Sequence, residues 1–252
     1  MHLERFDCAV ELSRWVENYW LLRWDLPEGT SFVSSTLPHP ACTLSVEHGH
    51  RRSGVEDPVV VTGVVTRRFD VTARDRAWVL GVKFRPGGFA SLTGSNAREL
   101  RDTTTPARTL LPATTTDALA DLGPHLDRHA AGRAVDRLLA ELPRSPDPDY
   151  DTVLEVVSAM LEDRGLVRVG QVEERCAIGT RRLQRLFERY VGVSPKWVLA
   201  RYRIHDAVTE LDQGYDGSLA DLAARYGWFD QAHFTREFTD LVGVPPRTYQ
   251  NG

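Results

Sequence analysis

Arg181, Gln184, Arg185 and Glu188 recur at intervals of three and four residues, with Arg182 and Arg189 beside them. Residues at that spacing share one face of a helix. A guanidinium donates a forked pair of hydrogen bonds to the two acceptors on a guanine edge, and a carboxamide bonds adenine in the same way, so this face carries the chemistry of base reading in a duplex groove. Fifty-one positions along, Gln231, Ala232, Thr235, Arg236 and Thr239 make a second face, much less basic than the first.

Behind each polar face lies an apolar one: Leu183, Leu186, Phe187 and Tyr190 in the first segment, Phe234, Phe238 and Leu241 in the second. Residues 183–195 and 234–246 align without a gap, matching Arg185 with Arg236, Phe187 with Phe238, Val191-Gly192-Val193 with Val242-Gly243-Val244, and Pro195 with Pro246. Carried upstream at the same offset, the match covers Val172–Leu183 and Ala223–Phe234, and the spacing of each copy predicts two short helices joined by a tight turn. Solvated faces of an ordinary helical domain are the alternative reading, and the duplication argues against it.

Other residues offer different chemistry. His39, Cys42, His48 and His50 have the ligand types for zinc or another transition metal, as a metalloprotein of repair or cupin-like type would need. A buried cysteine with surface histidines is the commoner arrangement. Trp15, Tyr19, Trp20, Trp24 and Trp78 suit either the lining of a ligand cavity or core packing. Gly87-Gly88 follows a proline and is expected to form a turn rather than a phosphate cradle. No Ser/His/Asp or paired-carboxylate constellation stands out, so no catalytic residue and no cofactor is assigned.

The elements that position these residues divide the chain. Runs such as Tyr19–Trp24, Cys42–Val46, Val59–Thr62, Arg67–Thr72 and Trp78–Phe84 are short, β-branched or aromatic, and separated by turn residues. They predict a small β-barrel or sandwich, with helices beginning near Phe89 and continuing through 106–142. Three prolines in 143–149 predict a stiff linker. Residues 150–252 are expected to be all helical, two helix-turn-helix units joined by a helix that starts at Ser194-Pro195 and runs to about Leu211, giving an α+β chain of two domains, 1–142 and 150–252.

Charge narrows the partners. The net charge of −4 excludes a nonspecific nucleic-acid coat, and 150–252 holds 13 basic against 15 acidic residues. Within 175–203, however, eight basic residues (Arg175, Arg181, Arg182, Arg185, Arg189, Lys196, Arg201 and Arg203) face one acid, Glu188. That local field is what phosphates would meet. Three widely spaced cysteines, Cys8, Cys42 and Cys176, predict reduced thiols, and the absence of a signal-like start or a long apolar run predicts a cytoplasmic protein without a membrane partner.

The second copy, with Gly227-Trp228, Phe234, Arg236, Phe238, Gly243 and Pro246, resembles the signature of the AraC/XylS transcription regulators. The first copy is looser, because Cys176-Ala177 replaces the Gly-aromatic pair, while Arg185-Leu-Phe187 and Gly192-Val-Ser-Pro195 hold. Leu37-Pro-His-Pro40 and Gly81–Gly88 resemble segments of the N-terminal domain of one branch of these regulators. The resemblance implies double-stranded DNA read by both faces, RNA polymerase as a partner for an activator, room for a small-molecule effector in the first half, and a homodimer contact from the helices of 106–142. DNA alkylation-repair proteins also carry the tandem domain, together with a four-cysteine zinc site for which this chain has too few cysteines.

Overall fold

The computed structural model describes residues 2–49 and 54–250, with the backbone alone for Ser34, Ser35, Thr36 and Phe69. Eight strands open the chain: β1 (His2–Phe6), β2 (Val16–Asp25), β3 (Ser31–Thr36), β4 (Thr43–His48), β5 (Val59–Thr62), β6 (Phe69–Arg74), β7 (Arg76–Phe84) and β8 (Thr104–Pro106). Six of them form an antiparallel sheet in the order β1-β2-β7-β4-β5-β8, and β3 pairs with β6 in a separate ribbon. Between the two predicted forms, the sheet is open and the ribbon backs it, a small sandwich.

The central strand β7 is buried along almost its whole length, as expected for a strand with neighbours on both edges and layers on both faces. Its Gly81 lies opposite Trp20, and a Cβ there would fall 1.9 Å from the indole. Glycine is required because the ring occupies that volume. One face of the sheet packs Tyr19, Leu21, Leu44, Leu80, Val82 and Phe84 against Leu119, Val135 and Leu139. The last three come from α3 (Ala113–Ala120) and α4 (Arg128–Ala140), which follow the short α1 (Gly88–Thr93) and α2 (Ala97–Leu100). The other face packs Trp24, Ala77 and Val79 against Ala73 of the ribbon. β1, β3 and β8 escaped the sequence reading; they are edge strands or half of a two-stranded ribbon, where the apolar signal is weakest.

The linker is shorter than its prolines imply. α5 runs Pro148–Glu162, with Pro148 in the first turn, where no amide hydrogen is needed, and Asp147 capping the amide of Tyr150. Asp147 also accepts from the hydroxyls of Ser91 at 2.9 Å and Tyr190 at 2.7 Å, which ties the linker to both halves.

The C-terminal helices are α6 (Val169–Arg175), α7 (Thr180–Leu186), continued as a π turn over Phe187–Val191, α8 (Pro195–Asp212), α9 (Leu219–Arg225), α10 (Gln231–Val242) and α11 (Pro246–Gln250). Ser194 caps α8, Ser218 caps α9 and Asp230 caps α10, each accepting from an amide three residues on. α6 and α9 repeat at an offset of 50 residues, whereas α7 and α10 start 51 apart. The ungapped alignment therefore holds only downstream of the turn. Val172 matches Leu222, and the left-handed residues of the two turns, Ala177 (φ 48°) and Gly227 (φ 73°), match each other.

Two apolar cores follow. The second unit closes its own around Phe234, Phe238, Leu222 and Trp228, with the end of α8. The first unit closes Leu183, Phe187, Val172 and Met160 together with Val64, Ala90 and Ala97 of the N-terminal half, so the first helix-turn-helix shares a core with the sheet domain.

Candidate nucleic-acid interface

On α7 the apolar positions are buried as expected: Leu183 and Phe187 are fully covered, and Leu186 and Tyr190 nearly so. Arg181, Arg182, Gln184, Arg185, Glu188 and Arg189 are all exposed. They do not stand equal. Arg182 donates to Asp149 at 3.3 Å and to Thr152 at 3.4 Å on α5. Glu188 pairs with Arg98 of α2 at 2.9 Å, and Arg189 lies 5.6 Å from the Tyr190 ring. The side chains of Arg181, Gln184 and Arg185 hold no hydrogen bond or ion pair among the described residues, which leaves their donors for an outside acceptor.

On α10, Gln231, Ala232 and Arg236 are exposed, and Thr235 and Thr239 are half-buried. The Thr239 hydroxyl donates to the carbonyl of Thr235 at 2.7 Å and is spent inside the helix. His233 and Glu237 lie 3.2 Å apart, and Glu237 also accepts from the Trp228 indole at 2.6 Å, so both brace the turn. Arg236 is the basic group left on this face.

The basic cluster of 175–203 divides. Arg201 is 1% exposed and Nε donates to the carbonyl of Pro38, so its charge faces the sheet domain and not a phosphate. Arg203 is half-buried, with its guanidinium 4.1 Å from the Trp228 ring and Nε donating to Tyr226 at 2.7 Å. Both lie on α8, whose inner face the sequence pattern did not separate from its outer one. Burial is also the leading cause of the low guanidinium pKa of Arg201, held near 10.

The candidate metal ligands do not converge. Cys42 is buried in the sheet core, where burial pushes its thiol up to about 12. His48 lies 2.6 Å from the Leu122 carbonyl and edge-on to Trp78. His39 faces Lys83 at 3.2 Å and the ring of His205 at 6.2 Å, a cationic neighbourhood that opposes a metal ion. His50 lies outside the described residues. Among the described residues no group of three or more His, Cys, Asp or Glu side chains has the geometry of a metal site. Cys42 and His48 lie on the same side of the sheet but six residues apart along it, roughly 20 Å at 3.3 Å per residue, and His39 sits in the preceding loop, so these three do not form the alternative metal site.

The aromatic group is mostly core, with Tyr19, Trp24 and Trp78 at most 4% exposed. Trp24 and Trp78 nonetheless line an open cavity of about 530 Å³ at one end of the sheet, with Arg23, His48 and Arg76. The Trp78 indole N–H and Arg23 Nε, both buried, have no hydrogen-bond partner among the described residues. Among those residues no helix is long and apolar enough to cross a membrane.

Residues 173–252 match a family model described as a helix-turn-helix domain. That span contains both reading faces and the Gly227–Pro246 signature. The C-terminal unit is an AraC-type helix-turn-helix domain. Residues 4–106 match a second model, a domain of unknown function (DUF6597). The AraC-type domain is similar to part of the HTH-type transcriptional regulator Rv1931c of Mycobacterium tuberculosis, 31% identical over 86 residues, 34% of this chain. The chain spans about a third (33%) of that relative's length. Among solved structures, an AraC-type regulator from Chromobacterium violaceum is 21% identical, covering 41% of this chain and 93% of its own at a TM-score of 0.37. ToxT from Vibrio cholerae is 11% identical, covering 92% and 98% at a TM-score of 0.47.

Proposed function

We propose that this protein is a sequence-specific DNA-binding transcription regulator in which α7 and α10 enter successive major grooves. The observation that carries the reading is the exposed, uncommitted triad Arg181, Gln184 and Arg185 on a helix whose opposite face is fully buried. Arg182 and Arg189 suit the flanking phosphates, and Gln231, Ala232, Thr235, Arg236 and Thr239 form the second reading face. α8, with 18 residues, spans roughly 27 Å at 1.5 Å per residue. That length is comparable with a DNA turn of about 34 Å, the spacing of successive major grooves on one face. Acting on transcription, the protein would engage RNA polymerase at the promoter it binds.

The cavity beneath Trp24 and Trp78 supports control by a small molecule. Its lining of two indole rings with Arg23, His48 and Arg76 suits an apolar ligand that carries an acceptor or anionic group. Selection of duplexes from a random pool by the full chain tests the central reading: a recovered motif with two half-sites is expected, and binding indifferent to sequence overturns it.

Within a recovered site, Arg185→Ala is expected to lower affinity by about 1–3 kcal/mol and to relax base choice at one position. Arg236→Ala is expected to cost less, because α10 carries Asp230, Glu237 and Asp240 around its one arginine. A gel-shift series giving the reverse order contradicts this ranking.

A further inference from the structure

The change of offset from 50 to 51 between the two units places one extra residue in the second turn. After the left-handed residue and one buried side chain, Ile178 or Trp228, the first copy goes straight to its helix cap, Gly179; the second inserts Phe229 before its cap, Asp230. Phe229 is 92% exposed, more than any other large apolar side chain among the described residues. A phenylalanine left in water at an inserted position does nothing for the core.

Phe229, Ala232 and Thr235 stand three residues apart, leading onto the exposed face of α10. Of the polar groups beside them, Asp230 is committed to the helix cap, His233 to Glu237 and Thr239 to the backbone, while Gln231 and Arg236 stay open for hydrogen bonding. What Phe229, Ala232 and Thr235 add to this end of the face is hydrocarbon: a ring, a methyl group and a threonine methyl. In the major groove one base presents hydrocarbon, because thymine alone carries a C5-methyl, and alanine, threonine and phenylalanine are the side chains that contact it.

We propose that the second unit recognises thymines through their C5-methyl groups, with Phe229 as the principal contact and Ala232 and Thr235 beside it. The two units then differ in their chemistry: forked hydrogen bonds dominate the first, and the second adds apolar contact to what Gln231 and Arg236 can bond. This rests on the DNA-binding reading above, and the test separates the two.

The full chain selects a site from random duplexes, and the thymines of that site are replaced one at a time by uracil, which keeps every hydrogen-bonding group and removes only the methyl. One or two thymines in the second half-site are expected to cost about fourfold in affinity on replacement, the worth of one buried methyl. Replacements in the first half-site leave affinity unchanged. Phe229→Ser, checked for an unchanged melting curve, is expected to bind the thymine duplex several-fold more weakly and to lose the distinction between thymine and uracil. A wild-type protein that binds the thymine and uracil sites equally overturns the proposal while leaving sequence-specific binding intact. So does a Phe229→Ser variant that weakens both duplexes equally, which would place the ring on the sugar-phosphate backbone, or one that keeps DNA affinity but loses transcription, which would make the ring a protein contact. Failure to select any site defeats the functional reading and this one together.

Discussion

Phe238→Ala is expected to remove about 3–5 kcal/mol of stability and to unfold the second reading unit. The ring is fully buried, with Phe234 and Tyr249 edge-on at 5.5 and 5.7 Å. Around it α8, α9, α10 and α11 close a core to which, among the described residues, the sheet domain adds only half-buried Leu37. The cavity left behind has few neighbours free to collapse into it. Denaturant unfolding of the variant should show an early transition carrying part of the helical signal. A loss below 1 kcal/mol would mean that α10 is not held by this cluster, and the assignment of its outward face would fall with it.

Acidification is expected to destabilise the join between the halves. His39 and His205 face one another across it, and burial, reinforced by the nearby Lys83 and Arg201, lowers both imidazoles, His205 to about 4. Asp206 and Glu17 are the acids close by; Asp206 pairs with Arg164 and Glu17 with Lys83. In the unfolded chain each histidine titrates near 6.5. Between that value and 4 the unfolded state binds protons that the folded state refuses, so stability is greatest above pH 6.5 and falls as the pH drops. His205 alone accounts for about 2 kcal/mol at pH 4 once solvent screening of its half-exposed ring is allowed for. Melting curves at pH 7 and pH 4.5 for the wild type and His205→Gln test this. The variant should lose less on acidification, and an equal loss in both proteins defeats the account.

Much of this was legible in the chain, for reasons that differ by residue. Leu183, Phe187, Phe234 and Phe238 lie where 3.6-residue periodicity puts them, because a helix face is set by local geometry alone. The strands Val59–Thr62 and Trp78–Phe84 were visible because buried central strands are apolar on both faces. What a neighbouring segment decides was not visible. Arg201 is a cation in the basic cluster until Pro38, 163 residues away, turns it inward. Glu188 is a reading residue by spacing, and its exposed pairing with Arg98 of α2 was not visible in the chain. Phe229 was overlooked because an alignment without gaps pairs it with Ile178 and hides that one is an insertion and the other core.

The join between the halves has a consequence for engineering. Arg68 of the sheet domain donates to the last carbonyl of α10's final turn, Val242, at 3.1 Å, and Pro38 receives Arg201 from the middle of α8. A Cβ on Gly192, just past α7, would come within 2.5 Å of the Ala97 carbonyl. Both reading helices, and the helix between them, are thus in contact with the N-terminal half. Chimeras that graft the last hundred residues onto a foreign sensor would discard all three grips at once, and such fusions should be built by carrying Pro38, Arg68 and Ala97 across with their partners.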